Sequence, residues 1–241
     1  MKRILGHLRR ADEKYGLIAN GDKIAVGISG GKDSLVLLQS LCAYQKFGFK
    51  QFEIMAITVD CTGGKADYSY IAKFCADLGV PYHIEPSKIF EIIFDIRREK
   101  SPCSLCSKMR RGMLNGAAQA LKCNKVALGH HGDDLVETLL LSMTYEGRLS
   151  TFQPRSHLDR SGMTLIRPLI FATEKEIIAV AKGLPVLSNP CPINHKTRRE
   201  YMKELVAKLD RDIDGARERM IDAVVCADRY NLLNGLDSNS K

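Results

Sequence analysis

The stretch KIAVGISGGKDSLVLLQSLCAYQK, residues 23–46, carries the strongest fold signal in this chain. Residues 23–29 form a short, mostly apolar run that predicts a buried strand, and residues 34–46 carry apolar side chains at helical spacing. Between them, SGGKDS at 29–34 puts two glycines where the helix begins. Glycine permits positive φ and close backbone approach, free N–H groups at a helix N-terminus attract anions, and Lys32 adds a positive charge. The segment therefore predicts a strand, a phosphate-binding loop and a helix.

Strands and helices continue to alternate on both sides of a helical stretch. We expect strands at 52–60, 81–85, 125–129 and a late edge strand at 185–190, with helices at 66–79, 133–145 and from 198 to about 233. This alternation predicts an α/β fold with a parallel, doubly wound, Rossmann-like sheet that binds ligands at the carboxyl ends of its strands. Residues 87–100 and 104–122 have helical patterns, which predicts an α-helical insertion.

Composition limits the class of protein. A chain of 241 residues with 45% hydrophobic content can bury a core. The N-terminus is charged and has no apolar signal region, and no run of roughly 18 apolar residues occurs, so we expect a cytoplasmic protein without a membrane segment. The net charge is +8, and residues 97–111 carry six Lys or Arg against Glu99 alone. That excess indicates either an anion or nucleic-acid surface, or a solvated helix face.

The glycine loop differs from a Walker A loop, which needs Gly at position 26 and Ser or Thr at 33, where this chain has Val26 and Asp33. It resembles the PP-loop of the ATP pyrophosphatase superfamily, whose fold is of the adenine nucleotide alpha hydrolase type and whose members adenylate a substrate oxygen. The resemblance implies ATP as cofactor, with a binding loop of Ser29, Gly30, Gly31, Lys32, Asp33 and Ser34. We expect Asp33 and Ser34 to cap the helix and to help hold Mg²⁺.

A second acidic motif, GHHGDD at 129–134, follows the strand predicted at 125–129. Paired aspartates beside a triphosphate suit magnesium or nucleotide binding, although Asp133 and Asp134 can equally cap the next helix. A GHxxDD-like element recurs in the PP-loop family. The resemblance therefore implies that Gly129 and Asp133 bind ATP and that Asp134 joins Lys32 and Asp33 in catalysis.

The cysteines separate into two groups. Cys103 and Cys106 stand three residues apart at a helix start, so both sulfurs can face one side, and Cys191 lies in the proline-flanked loop NPCPIN. Two thiolates make part of a zinc or an iron–sulfur site, and Cys61, at a strand end, is a rival for a further position. The remaining cysteines lie in helical or near-strand contexts that indicate packing: Cys42, Cys75, Cys123 and Cys226.

Several motifs in order resemble the tRNA 2-thiocytidine synthetase family over roughly residues 20–210: SGGKDS, CSLCSKMRRGML, ALGHHGDDLVET, RPL and NPCP. The resemblance implies a 4Fe-4S cluster held by Cys103, Cys106 and Cys191 with one iron free of protein ligation. The chain departs from many members in having Cys-Pro-Ile-Asn where they have a second CxxC. A zinc site in which His195 joins the three cysteines stays open.

The domain boundaries follow from these motifs. We expect an N-terminal basic helix (1–20), a PP-loop domain (21–195) with the insertion at about 87–122, and a C-terminal helical segment (196–241).

The resulting hypothesis is an ATP- and magnesium-dependent sulfurtransferase acting on a tRNA pyrimidine, with cytidine 32 as the best choice by resemblance. Lys108, Arg110 and Arg111, close in sequence to the cysteine pair, are the candidate RNA contacts. A sulfur donor such as a cysteine desulfurase and a homodimer are further expectations. Two alternatives remain: the same chemistry on another nucleoside or a small molecule, including amidation, and a noncatalytic nucleotide- and RNA-binding redox regulator.

Overall fold

The computed structural model describes residues 1–48, 50–99, 102–159, 161–187 and 198–226. Within these ranges the strands are β1 (Asp22–Gly27), β2 (Phe52–Asp60), β3 (Tyr82–Pro86), β4 (Lys125–Ala127), β5 (Arg155–Leu158) and β6 (Met163–Ile166). The helices are α1 (Lys2–Tyr15), α2 (Lys32–Lys46), α3 (Ser69–Asp77), α4 (Pro102–Ala120), α5 (Gly132–Leu141), α6 (Glu174–Ala181), α7 (Arg198–Asp212) and α8 (Ala216–Val225), with π-helices at Glu91–Ile96 and Ser142–Glu146.

The described strands form one sheet in the order β3-β2-β1-β4-β6-β5. All neighbours are parallel except β5 and β6, which pair antiparallel at one edge. The chain builds outward from β1 to β3 and then returns to add β4 on the other side of β1, so the strand order reverses between β1 and β4. Ligands of doubly wound sheets bind at the carboxyl ends of strands at such a reversal. The predicted α/β class with a mostly parallel sheet is confirmed.

The described residues form two compact units. The sheet unit contains residues 1–131 and 153–187, and the helical unit contains residues 132–152 and 198–226. In the sheet unit, Ile57 of β2, Leu114 of α4 and Val126 of β4 belong to one buried apolar cluster.

The helical unit has its own small core. Val136 of α5, Val206 of α7 and Ile221 of α8 are buried together, with Leu140 and Met220 packed against them. Each of these apolar side chains comes from one face of an amphipathic helix.

The predicted edge strand at 185–190 is wrong over the residues that the structure describes, 185–187, and its remainder lies outside them. The backbone N–H of Leu187 donates instead to the Gly30 carbonyl (3.0 Å), so this apolar segment lies on the glycine loop. The hairpin of β5 and β6 takes the edge position. Its outer strand, RSHL, alternates exposed and half-buried residues and carries little of the apolar signal that marks a strand.

The helix predicted over 87–100 is shorter than expected. It includes the π-helix Glu91–Ile96, after which Arg98 adopts a left-handed backbone conformation (φ 47°) that a helix does not continue through. No helix among the described residues is both long and apolar enough to span a bilayer.

A buried ion pair joins the amino ends of the two central strands. The Lys125 ammonium lies 2.7 Å from Asp22 Oδ2 and also donates to the Leu17 carbonyl (2.7 Å). The Asp22 carboxylate further accepts from the backbone N–H of Ala19 and from the Asn124 side chain. Burial favours the neutral acid, but these partners outweigh it and hold the pKa of Asp22 below its usual value.

We predict that Asp22→Asn lowers the free energy of unfolding by about 3 kcal/mol, because it leaves the buried Lys125 without its counter-charge. Since the folded-state pKa of Asp22 is depressed, its contribution is present above about pH 4 and is lost as the pH falls through the folded pKa. Urea titrations from pH 3 to 7 should therefore show the wild-type advantage shrinking in acid.

The matched control is Glu53→Gln on the neighbouring strand β2. Glu53 is 76% exposed and lies 3.9 Å from Lys23, so its removal should change stability by about 0.5 kcal/mol or less. Equal losses in the two variants would contradict a stabilising role for the buried pair.

Candidate functional site

The loop between β1 and α2 is held by its own serines. The Gly31 N–H donates to Ser29 Oγ (3.2 Å), the Ser34 hydroxyl donates to the Gly31 carbonyl (2.9 Å), and the Ser29 N–H donates to Ser34 Oγ (3.2 Å). Gly30 has φ +82°, and a Cβ there would lie 3.1 Å from the Leu187 side chain, so this position needs glycine. Gly31 has φ −77°, which any residue adopts, and it is the N-cap of α2.

The expected capping of α2 by Asp33 and Ser34 is wrong. The N-cap of α2 is Gly31, which has no side chain to accept a hydrogen bond. Asp33 and Ser34 follow it and lie within the first turn of the helix. Ser34 closes the loop instead, and the Asp33 carboxylate lies in the turn where the positive end of the helix dipole stabilises negative charge. The N-terminus of α2 therefore has backbone N–H groups available for an anion.

Lys32 lies between two carboxylates. Its ammonium is 3.1 Å from Asp33 Oδ1 and 3.1 Å from Glu174 Oε1. Burial disfavours the charge, but both carboxylates favour it, and the pKa of Lys32 is raised above its usual value. The side chain therefore remains a cation at neutral pH, as a phosphate ligand must.

Glu174 was not predicted from the sequence as a site residue. It begins α6, where Thr173 and Glu176 form a capping box in which the Thr173 hydroxyl accepts from the Glu176 N–H and the Glu176 carboxylate accepts from the Thr173 N–H. The pattern T-E-K-E predicts that helix start. It carries no information about the partner of Glu174, since Lys32 is far away in the chain.

Gly129 allows the loop after β4 to touch the start of α2. A Cβ at this position would lie 2.9 Å from the backbone carbonyl carbon and oxygen of Asp33 and 3.1 Å from the Ser34 nitrogen. The buried His131 follows, with Nε2 3.7 Å from Asp33 Oδ1. The structure therefore brings the predicted ATP residue Gly129 against the predicted phosphate loop.

Arg167, in the RPL segment after β6, is a second residue whose position the sequence did not reveal. It is only 7% exposed, its Nε donates to His130 Nδ1 (3.3 Å), and its guanidinium also donates to the Gln153 carbonyl. Burial and the nearby charge of Arg111 lower the pKa of Arg167 to about 10. Arg111, a predicted RNA contact, thus adds its charge to the region of the β4 loop.

The two predicted acidic ligands lie in the helical unit and are engaged there by arginines. The Asp133 carboxylate is buried in an ion pair with Arg217 of α8, and Asp134 Oδ1 lies 3.3 Å from the guanidinium of Arg199 in α7. Arg199 also donates to the Thr138 hydroxyl (2.8 Å). These pairs tie α5 to both C-terminal helices within the unit.

The cysteine pair lies at the start of α4 as predicted. Cys103 is exposed and Cys106 half-buried, one turn apart. Cys106 packs against the sheet-unit core next to the buried Cys61, which follows β2. The neighbouring Cys106 thiol, together with burial, raises the pKa of Cys61, and the Cys61 thiol and the charge of Arg110 lower the pKa of Cys106.

This donor set suits a soft metal centre. Two thiols at positions i and i+3, with one sulfur favouring the thiolate, match what an iron–sulfur cluster or zinc requires. Cys191 and His195, the other predicted ligands, lie outside the described residues. Among residues that the structure does describe, no group of three His, Cys, Asp or Glu side chains forms a metal site.

The three candidate RNA contacts lie on the same helix as the cysteine pair. Lys108, Arg110 and Arg111 are all exposed on α4, on the two turns that follow Cys106. The charge excess seen in the sequence is therefore a surface beside the thiols.

A scan against protein families matches residues 6–209 to the PP-loop domain. Among curated relatives, the tRNA-cytidine(32) 2-sulfurtransferase of Pelobacter propionicus is 39% identical over 230 residues, covering 92% of this chain and 85% of that protein. The enzyme of the same name from Geobacter sulfurreducens is 38% identical, covering 92% and 89%.

A similar solved structure is that of the U34-tRNA thiolase NcsA from Methanococcus maripaludis with its [4Fe-4S] cluster. It superposes with a TM-score of 0.74 at 24% identity, covering 93% of this chain and 78% of that one. At this level of identity the likeness establishes the shared fold.

We predict that Gly129→Ala destabilises the protein by about 1–3 kcal/mol, because the new methyl group meets backbone atoms of Asp33 that are fixed by α2. The backbone of Asp33 must then move away from the methyl group, and this movement should disturb the glycine loop and weaken nucleotide binding. Urea denaturation and titration with a fluorescent ATP analogue measure the two effects.

Gly116→Ala is the control, since a Cβ at this position in α4 meets nothing within 4 Å. Removing a helical glycine there should stabilise the protein by about 0.5–1 kcal/mol. If Gly129→Ala behaved like Gly116→Ala, the close approach of the two loops would be refuted.

Proposed function

This chain belongs to the PP-loop domain family and, within it, to the tRNA-cytidine(32) 2-sulfurtransferases, and from that membership we propose that it replaces the C2 oxygen of cytidine 32 in tRNA with sulfur, using ATP. The observation that carries this proposal is the presence, in one compact unit, of a glycine loop with a charged lysine and of a paired thiol on α4. An adenylating loop alone would suit amidation equally well, whereas the thiols favour sulfur chemistry.

The glycine loop binds and activates ATP. Free N–H groups at the start of α2 and the Lys32 ammonium receive the phosphates, and the C2 oxygen attacks the α-phosphorus so that pyrophosphate leaves. Sulfide, supplied as co-reactant, then attacks C2 and the adenylated oxygen departs as AMP. Lys32 suits this role because its pKa is raised, so it keeps its charge while negative charge develops on the pyrophosphate.

Asp33 and the acidic pair after β4 are the magnesium and nucleotide ligands of this proposal. Magnesium binds carboxylate oxygen beside phosphates, and the Asp33 carboxylate lies next to Lys32 at the loop. Asp134 keeps an exposed fraction of 18%, so its carboxylate is accessible while it pairs with Arg199. Asp133 is buried against Arg217, which favours an anchoring role over direct chemistry.

Cys103, Cys106 and Cys191 would hold a 4Fe-4S cluster, and such a cluster, when bound, supplies an iron without a protein ligand at which the sulfur can be held. Cys106 fits because the neighbouring Cys61 thiol and the charge of Arg110 favour its thiolate. Lys108, Arg110 and Arg111 would attract the RNA phosphates toward the thiols.

The setting of the reaction is also a proposal. A cysteine desulfurase is the proposed sulfur donor. It carries sulfur as a persulfide, and a dithiol reductant, which is oxidised to a disulfide, releases the outer sulfur as the sulfide that attacks C2. We further propose that the enzyme works in the cytoplasm as a homodimer.

The first test is the nucleoside profile of tRNA from cells with and without this gene, measured by mass spectrometry. We expect 2-thiocytidine to disappear on deletion and to return with the wild-type gene. Unchanged 2-thiocytidine would contradict the proposal, and loss of another thiolated nucleoside would redirect it to a different base.

We predict that Lys32→Ala lowers AMP release by about 10²- to 10³-fold in anaerobic reactions with tRNA, ATP and sulfide, because it removes a preorganised charge from the developing pyrophosphate. Lys73→Ala, which removes an exposed charge from α3, should leave the rate unchanged. Equal activity of the two variants would exclude Lys32 from the chemistry.

If wild-type protein binds ATP and tRNA but releases no AMP, the hypothesis of a noncatalytic nucleotide- and RNA-binding regulator explains the protein better.

The metal prediction concerns Cys103 and Cys106. We expect Cys103→Ala and Cys106→Ala to abolish the brown colour and iron content of protein purified without oxygen, because each removes a cluster ligand. Cys75→Ala, which deletes a buried thiol of α3, should retain the iron. If the wild-type protein is colourless and contains one zinc per chain, the prediction of a cluster is wrong and the site binds zinc.

A further inference from the structure

Helix α1 has two different faces. Ile4, Leu8 and Ala11 are fully buried and attach the helix to the sheet unit. The other face carries residues at the spacing i, i+3, i+4, i+7, i+8 and i+11: Lys2, Leu5, Gly6, Arg9, Arg10 and Glu13. The sequence motifs of the catalytic site do not account for this second face.

The second face forms one wall of an open groove of about 430 Å³, whose other wall is Tyr44 and Phe47 from the end of α2. Phe47 is 73% exposed, more than any other large apolar side chain that the structure describes. Gly6 opens the groove, since a Cβ there would meet nothing within 4 Å. A glycine inside a helix lowers its stability by about 0.5–1 kcal/mol relative to alanine. The open groove at Gly6 therefore comes with a less stable α1.

The rim of the groove is cationic. Lys2, Arg9 and Arg10 contribute three positive charges against the one carboxylate of Glu13. Arg9 pairs with Glu13 at 3.3 Å, but both side chains are more than half exposed, so this pair is weak and a phosphate can replace the carboxylate. Arg10 stacks its guanidinium over the Phe171 ring at 4.2 Å, which fixes its position at the groove.

We propose that this groove binds an unpaired nucleotide of the RNA substrate, with its base stacked on Phe47 and its phosphate held by Lys2 and Arg9. Charge complementarity selects a polyanion, and an exposed aromatic ring beside cations is the arrangement that single-stranded nucleic acid uses. A stacked base needs no particular sequence because every base has an aromatic face. The groove thus serves as an anchor that adds affinity without choosing the modified base.

The anchor is separate from the reaction centre. Helix α2 runs from Lys32 to Lys46, which places its far end roughly 20 Å from the glycine loop at 1.5 Å per residue. One nucleotide cannot occupy both places, so the groove holds a different part of the RNA from the base that is modified. The identity of the RNA as tRNA rests on the proposed function, whereas the groove itself does not.

The test measures tRNA affinity of the full chain at several salt concentrations. We expect Lys2→Gln combined with Arg9→Gln to weaken binding about tenfold or more and to reduce the slope of log affinity against log salt by about 2. Phe47→Ala should weaken binding about tenfold with the slope unchanged, because stacking is not electrostatic. Gly6→Met should also weaken binding by filling the groove while every charge is kept.

The matched control is Lys65→Gln with Lys73→Gln, which removes two exposed charges of the sheet unit outside the groove. Circular dichroism checks that each variant keeps its fold. If the groove variants bind tRNA like the control, the inference is overturned. It is also overturned if they bind tRNA normally but lose binding to vesicles of phosphatidylserine and phosphatidylcholine, since the groove would then face a membrane surface.

Kinetics separates this inference from the proposed function. We expect the groove variants to raise the KM for tRNA and to keep kcat for AMP release at saturating tRNA. If the wild-type protein forms no 2-thiocytidine while the groove variants bind RNA more weakly than the wild type, the proposed function fails and the anchor stands. If thiolation proceeds with unchanged KM in every groove variant, the anchor fails and the function stands.

Discussion

The parallel pairing of β1 with β4 is the constraint on which the site depends. It directs the carboxyl ends of both strands to one edge of the sheet, so the glycine loop and the GHH loop emerge side by side. They approach so closely that Gly129 has no room for a side chain beside the backbone of Asp33. At the other end of the same strands, the buried pair of Asp22 and Lys125 adds a directional interaction to the ladder of hydrogen bonds.

Charge in the sheet unit is arranged around this edge. Lys32 is kept charged by two carboxylates, and the buried Arg167 adds a second cation near the β4 loop, at the cost of a depressed pKa. Both cations are held at defined positions and are at least partly buried, so their interactions with an anion are stronger there than they would be in water. Asp33 and Glu174 balance these charges and give Lys32 a defined position in the protein.

The cysteines differ in reactivity because their surroundings differ. Burial raises the pKa of Cys42 and of Cys75 to about 11, so both remain neutral thiols that pack like small apolar side chains. The pKa of Cys106 shifts in the opposite direction, because the thiol of Cys61 and the charge of Arg110 lie nearby. Cys106 is therefore the more readily ionised thiol, and metal ligation or nucleophilic attack requires the ionised form.

The amino-acid order alone predicts the strand, glycine loop and helix at residues 23–46 and gives β2 its observed bounds, because local periodicity and glycine carry that information. The cysteine pair and the basic run on α4 were also readable from spacing alone. Three-dimensional packing brings Glu174 to Lys32 and Cys61 to Cys106, and it lays residues 185–187 on Gly30 while β5 and β6 form the edge. Those contacts join residues far apart in the chain, and packing of whole elements, which no local pattern encodes, brings them together.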